Sequence, residues 1–215
     1  MALVVFDLDG TISRHDTLLA YLIGFLRRNP ARWTRVLLWI PAVLLFVTGF
    51  ADRGALKSAL MKAALGGCTR AKIDAWTDRY VSELLQHGVF ADALSAVAQH
   101  RSERDLLVLM SASPDLYVPE IARRLGFFEA ICTGVRWQGE RFGGELTTPN
   151  RRGAEKALCF AALQQRYPGM PTVAYANSAS DFDHMRLADA AWLVNPSPAL
   201  LRDAEHAHFR VLTWR

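Results

Sequence analysis

"LVVFDLDGT", residues 3–11, decides how the chain is read. Leu3 to Phe6 form an apolar run without polar alternation, the pattern of a buried parallel strand. Two acids follow, Asp7 and Asp9. An extended chain has period two, so both carboxyls point to the same side. Gly10 lets the chain turn, and Thr11 sets a hydroxyl beside the acids. Paired carboxylates repel, so they recruit a cation or share a proton. A lone acid pair at a strand end is commonly a solvated turn. The strand before this one and the Gly-Thr after it favour chemistry.

Further apolar runs, each ending in a polar loop, extend the pattern. They are "LLVLM" (106–110), "AICTGV" (130–135), "TVAYA" (172–176) and "AAWLV" (190–194). Helical patterns separate them at 115–126, 151–167 and 180–188. This alternation predicts an α/β fold with a doubly wound, Rossmann-like parallel sheet. "VRWQGERFGGEL" (135–146) predicts a hairpin with Gly-centred turns. Between the first two strands, residues 14–90 are almost wholly helical in pattern. The expected organisation is a core of 1–13 and 91–215 with a helical cap domain of 14–90. Such an insertion stands over the carboxyl ends of the strands, where open α/β sheets bind ligands.

The 215 residues suffice for one domain with an insertion or for two small domains. With 51% hydrophobic and 21% charged residues, the chain is not of disordered composition. A net charge of +4 is a mild excess. Without zinc-finger spacing or an aromatic RNA-binding signature, nucleic acid is not expected as a partner. Cys68, Cys132 and Cys159 are scattered and form no CxxC pair. Disulfides and zinc are therefore not expected, and a reducing compartment fits. The N-terminus reaches acids by residue 7 and lacks the apolar core of a signal peptide. The expected location is the cytoplasm, at the inner face of the cell membrane if the chain touches lipid.

"FDLDGT" resembles the first motif of the haloacid dehalogenase superfamily of phosphohydrolases. The resemblance implies that Asp7 is a nucleophile forming an aspartyl-phosphate and that Asp9 is the general acid and base. It implies Mg²⁺, which with cationic donors neutralises the phosphoryl oxygens during attack. In "LLVLMSASP", Ser111 matches the family's phosphate-binding hydroxyl. Ser113 and a helix start from Pro114 onward would add donors, as would Thr11. In "RRGAEKAL", Lys156 matches the lysine that neutralises nucleophile and phosphate. Arg151 and Arg152 are equally readable as auxiliary contacts or as a solvated helix start. "YANSASD" (175–181) matches the last motif, whose pattern is an acid, three residues, then another acid. Asp181 fills the second place. Asn177 stands in the first, the usual metal ligand, and offers a carbonyl oxygen without charge. The implied metal set is Asp7, Asp9, Asn177 and Asp181.

Motif order places the chain with the subfamily IB members, whose helical C1 cap lies between the first two motifs. Phosphoserine phosphatases share that plan. "LRRNP", the apolar cap segment, "GC" (67–68), "SASP" and "GGELTTPNRRGAEK" resemble the phosphatidylglycerophosphatase C family more closely. That resemblance implies a phosphomonoester substrate on a lipid. Hydrolysis of a soluble phosphomonoester is the alternative within the same chemistry. A weakened or non-catalytic phosphate- or membrane-binding protein is the alternative that Asn177 motivates.

"VLLWIPAVLLFVTGFA", residues 36–51, holds sixteen residues without a charge. As a helix it reaches only about 24 Å at about 1.5 Å per residue, short of a bilayer core of about 30 Å. Pro41 is expected to kink it. Arg27, Arg28, Arg32, Arg35, Arg53 and Lys57 flank it against one acid, Asp52. One reading is contact with an anionic membrane surface through 27–57, arginines at the headgroups. The other is a helix buried inside the cap.

Overall fold

The computed structural model describes residues 1–206 and 208–215. Its first element is β1 (Leu3–Phe6), buried throughout. A helical block follows. It comprises α1 (Thr17–Arg27), a 3₁₀ helix (Pro30–Leu38), α2 (Trp39–Val47), α3 (Arg53–Leu65) and α4 (Arg70–His87). Then come α5 (Ala91–Ser102), β2 (Leu106–Pro114), α6 (Val118–Leu125), β3 (Glu129–Thr133), β4 (Val135–Gln138) and β5 (Arg141–Leu146). The chain ends with α7 (Ala154–Arg166), β6 (Thr172–Ala176), a 3₁₀ turn (Ala179–Asp181), α8 (Phe182–Met185), β7 (Ala190–Val194), α9 (Pro198–His206) and β8 (Arg210–Leu212).

Six strands form one sheet in the order β3-β2-β1-β6-β7-β8. Every pairing in it is parallel. The doubly wound class expected from the alternation is therefore present. Both sheet faces are covered, which is why the strands read as continuous apolar runs. Val4, Phe6, Leu107 and Leu109 pack into the core on one face. Leu3, Val5, Val108 and Met110 pack into the core on the other, against Phe160 and Leu163 of α7. Strand order reverses at β1, between β2 and β6, so the binding crevice lies at the carboxyl ends of these three strands.

Side-chain caps start the helices of the block. Asp16 accepts from Leu19 N at 2.9 Å and Asp52 from Ala55 N at 2.7 Å, each satisfying an orphan amide of a first turn. The block rests on the β4–β5 hairpin. Ser58 donates to Gly144 O, and Lys62 pairs with Glu145. Gly144 has φ +92°, and a Cβ there would stand 3.1 Å from Lys62 Cα, so α3 and β5 approach too closely for a side chain.

Several local expectations are corrected. The helix at 180–188 is only a 3₁₀ turn and α8, because the chain must already be back at Ala190 to pair β7 with β6. No helix opens at Pro114: β2 runs through it, and α6 starts at Val118. Residues 36–51 do not form one kinked helix. A 3₁₀ helix ends at Leu38, and Pro41 falls in the first turn of α2, where its missing N–H costs no hydrogen bond. The buried-helix reading of that segment fails, for no residue of the 3₁₀ helix or α2 is buried. Leu37, Val47 and Phe50 are 66%, 73% and 85% exposed.

The expected arginine fringe is also largely committed elsewhere. Arg32 and Arg35 donate to carbonyls at the C-terminal end of α3, Ala64 O and Gly66 O, where orphan acceptors favour cations. Arg28 bonds Glu83. Lys57 turns inward. Arg27 and Arg53 stay exposed, with Arg53 over the Phe46 ring.

Candidate active site

Asp7 is the residue after β1, and Asn177 the residue after β6. Register fixes their proximity: Phe6 pairs with Tyr175, and Asp7 N donates to Tyr175 O at 2.9 Å. Lys156 lies in the first turn of α7, directed back over the end of β1. Its Nζ donates to Asp7 Oδ1 at 2.6 Å and to Asp181 Oδ1 at 2.7 Å. Lys156 and Asp181 are each 2% exposed, and Asp7 is 6% exposed.

One buried ammonium thus serves two carboxylates. Burial opposes the charge on Lys156, but Asp7 and Asp181 outweigh it and raise its pKa. Asp181 is pushed up by burial, yet Lys156, His184 and the Ser178 hydroxyl hold it below the ordinary carboxylate range. Burial lifts Asp7 to about 7, with Asp181 and Asp9 adding to the rise against the pull of Lys156. Lys156 thus favours the charged form of Asp181, while burial opposes the charge on Asp7.

Asp9 has a separate set of partners. Its Oδ1 accepts from Thr17 N at 2.7 Å and Thr17 Oγ1 at 2.6 Å. Its Oδ2 accepts from Ser113 Oγ at 2.7 Å and Ser111 Oγ at 3.4 Å. Burial raises its pKa, while bonds from Thr17 and Ser113 pull the other way. These four donors fill the ordinary acceptor capacity of a carboxylate. Thr11 donates to Asp7 Oδ2 at 3.3 Å. Ser111 Oγ also accepts from Ser113 N at 3.0 Å.

A cavity of about 340 Å³ opens over this cluster, lined by Asp7, Asp9, Arg152, Lys156, Asn177 and Asp181 among others. Asn177 makes no hydrogen bond through its side chain among the described residues. It lies on Gly10, where an added Cβ would meet its Nδ2 at 2.0 Å. Gly10 also has φ +79°, so glycine is needed both for the turn and for room. The oxygens of Asp7 and Asn177 are hard donors of the kind a divalent cation takes, and the donor set fits one.

A model of the haloacid dehalogenase-like hydrolases matches residues 4–186. The chain belongs to that family. Protein CicA of Caulobacter vibrioides is 33% identical to this hydrolase over 195 residues, covering 87% of this chain and 83% of that protein. A probable phosphatase of Mycobacterium tuberculosis is 26% identical over 214 residues, covering 97% and 74%. A probable phosphoserine phosphatase from Vibrio cholerae shares the fold, with TM-score 0.75 at 13% identity over 98% of this chain and 59% of that one. The hydrolase is an enzyme, and its relatives include that probable phosphatase.

Of the eight catalytic, phosphate-binding and metal-binding residues expected from the sequence, Asp7, Asp9, Lys156, Asn177 and Asp181 line this cavity, while Thr11, Ser111 and Ser113 are buried beside them. Asp7, Thr11, Lys156 and Asp181 are joined by hydrogen bonds, as are Asp9, Ser111 and Ser113, while Asn177 faces the cavity without a bond. Sequence reasoning missed Lys57, which had the look of one more flanking base. Its Nζ donates to Ala112 O at 2.5 Å and Asn150 Oδ1 at 2.5 Å, beside the two serines. Burial lowers its pKa to about 8. It also missed His184, 1% exposed behind Asp181 with neither ring nitrogen hydrogen-bonded among the described residues, its pKa pushed down to about 3 by burial. A lysine or histidine on an amphipathic stretch carries no local signal for such a position.

Proposed function

We propose that this hydrolase is a Mg²⁺-dependent phosphomonoesterase working through an aspartyl-phosphate on Asp7, with a lipid phosphate such as phosphatidylglycerophosphate as substrate. The observation that carries the chemistry is the buried Asp7–Lys156–Asp181 cluster beneath an open cavity. Asp7 attacks phosphorus, and the bond from phosphorus to the leaving oxygen breaks. Asp9, lifted toward its neutral form by burial, gives that oxygen its proton. Asp9 then takes a proton from the water that attacks the aspartyl-phosphate, releasing phosphate and restoring Asp7. Lys156 neutralises charge beside Asp7, and Asp181 holds the lysine there. Ser111, Ser113 and Thr11 supply hydroxyls for the phosphoryl oxygens. Asp7 and Asn177 would hold Mg²⁺, which supplies Lewis-acid neutralisation of those oxygens. Asp9, filled by its four donors, and Asp181, which accepts from Lys156 and Ser178, complete the implied set as its neighbours.

Residues 14–90 act in this reading as the cap of a core made by 1–13 and 91–215. The exposed apolar segment of that cap supports the lipid assignment, since large contiguous apolar surface marks an interaction site. Phosphate release should be measured on lipid and soluble monoesters, with the parent chain and Asp7→Asn. Turnover that vanishes in Asp7→Asn is expected. Turnover that persists would remove Asp7 as nucleophile, and none on any monoester would leave a phosphate-binding protein.

A further inference from the structure

Beside the catalytic cavity runs a second hollow of about 570 Å³, lined by Arg53, Gly54, Pro149, Asn150, Gly153 and Glu155 among others. Arg152 and Ser180 line both. Its far end is Asp52 and Arg53, the start of α3, where Arg53 lies over the Phe46 ring of α2. One surface path therefore leads from Asp7 to the exposed apolar segment. The path is polar at its rim and lacks side chains at Gly153, where a Cβ would meet nothing within 4 Å.

The apolar segment lies alongside α3 and runs antiparallel to it. Arg32 bonds the carbonyl of Ala64, Trp39 Nε1 that of Leu60, and Phe46 meets Arg53. Tied at three levels to a helix that carries Lys57 into the site, the segment cannot cross a bilayer without drawing polar residues after it. Its outward side is Leu37, Ile40, Leu44, Val47 and Phe50, all more than half exposed. Arg32 and Arg35 are held by carbonyls at the end of α3 and Arg28 pairs with Glu83 at the surface, which leaves Arg27 and Arg53 for headgroups, so apolar contact dominates over headgroup charge.

Resting on the phosphomonoesterase reading above, we infer that the 3₁₀–α2 segment lies flat in the face of a lipid bilayer and that the Arg53–Pro149–Gly153 groove carries a lipid headgroup from that bilayer to Asp7. The acyl chains stay in the membrane. The polar linker between chains and phosphate occupies the groove, and the phosphate reaches the cavity.

The test combines flotation with phosphatidylcholine vesicles and turnover of two probes, phosphatidylglycerophosphate in those vesicles and p-nitrophenyl phosphate in solution. The parent chain is expected to float with neutral vesicles, and to do so still at raised ionic strength. Leu44→Ser with Val47→Ser and Phe50→Ser should stop flotation and cut vesicle turnover by about tenfold or more, with the soluble probe unchanged within about twofold. Pro149→Trp, a wedge in the groove, should float normally and lose vesicle turnover alone. Equal loss on both probes, or no loss on either, overturns the groove. Failure to float, or a dimer in solution that the serine variant splits, overturns the membrane face. Turnover of the soluble probe alone by the parent sinks only this inference. Turnover of neither probe sinks the phosphomonoesterase reading itself.

Discussion

Replacing Asn177 by Asp tests the least ordinary feature of the site. Three carboxylates, Asp7, Asp9 and Asp181, already line this cavity, and two of them, Asp7 and Asp181, share one ammonium. A fourth adds repulsion to the metal-free protein and attraction for a divalent cation. Two unit charges about 4 Å apart interact by about 4 kcal/mol at an effective dielectric of about 20. Desolvation of the new carboxylate offsets much of that, so a net gain of about 1.4–2.8 kcal/mol, ten- to a hundredfold in Mg²⁺ affinity, is expected. The half-saturating Mg²⁺ concentration for phosphate release should fall by that factor. A second readout needs no turnover. At saturating Mg²⁺, each tenfold gain adds about 1.4 kcal/mol of stability, or roughly 3–6 °C in Tm for a chain of this size. Without Mg²⁺ the variant should melt below the parent. Identical Mg²⁺ titrations and identical Mg²⁺-induced shifts for both chains would refute the assignment of Asn177 to the metal.

Lys156→Met leaves Asp7 and Asp181 buried without their cation, and chemical denaturation should show a loss of about 3–5 kcal/mol. A loss under about 1 kcal/mol would mean the pair is far more hydrated than its burial implies. His184 is neutral when folded down to about pH 3, whereas the unfolded chain protonates it near the ordinary histidine value of about 6.5. Below pH 6.5 the unfolded state binds more protons, so stability falls with falling pH by up to about 1.4 kcal/mol per unit from this group. His184→Leu should flatten the acid limb of a stability–pH profile, and an unchanged limb would count against the buried neutral ring. Gly10→Ala forces a Cβ onto Asn177 at φ +79° and should destabilise the chain by about 1–3 kcal/mol. A melting curve that matches the parent would show that Asn177 moves aside freely.

The core of the site is local in the sequence, which is why it is readable there. Asp7 and Asp9 follow directly after β1, Ser111 and Ser113 end β2, and Asn177 follows β6, so strand ends alone place them. Lys156 needs only the first turn of the next helix. Lys57 is different, because its role arises when α3 packs across the hairpin and brings Nζ to Ala112 O, a partner 55 residues away. The flanking arginines were misjudged for a related reason. Arg32 and Arg35 find the end of α3 some thirty residues on, a contact that charge counting cannot see. The three-residue β8 is too short for any hydrophobic period to announce it.

Thr17 joins more of the molecule than its size suggests. Its amide and hydroxyl hold Asp9, its hydroxyl also lies 3.1 Å from Tyr117 Oη, and its carbonyl accepts from Tyr80 Oη of α4 at 2.8 Å. Asp9, the proposed general acid, is thus aligned by residues on both sides of the proposed cap boundary at residue 14. A chimera that grafts a foreign helical block onto this core would receive Asp9 without its aligning partner. Such an exchange must carry Thr17 and Tyr80 together and meet Tyr117 in place, so specificity in this scaffold is not inherited as a free module.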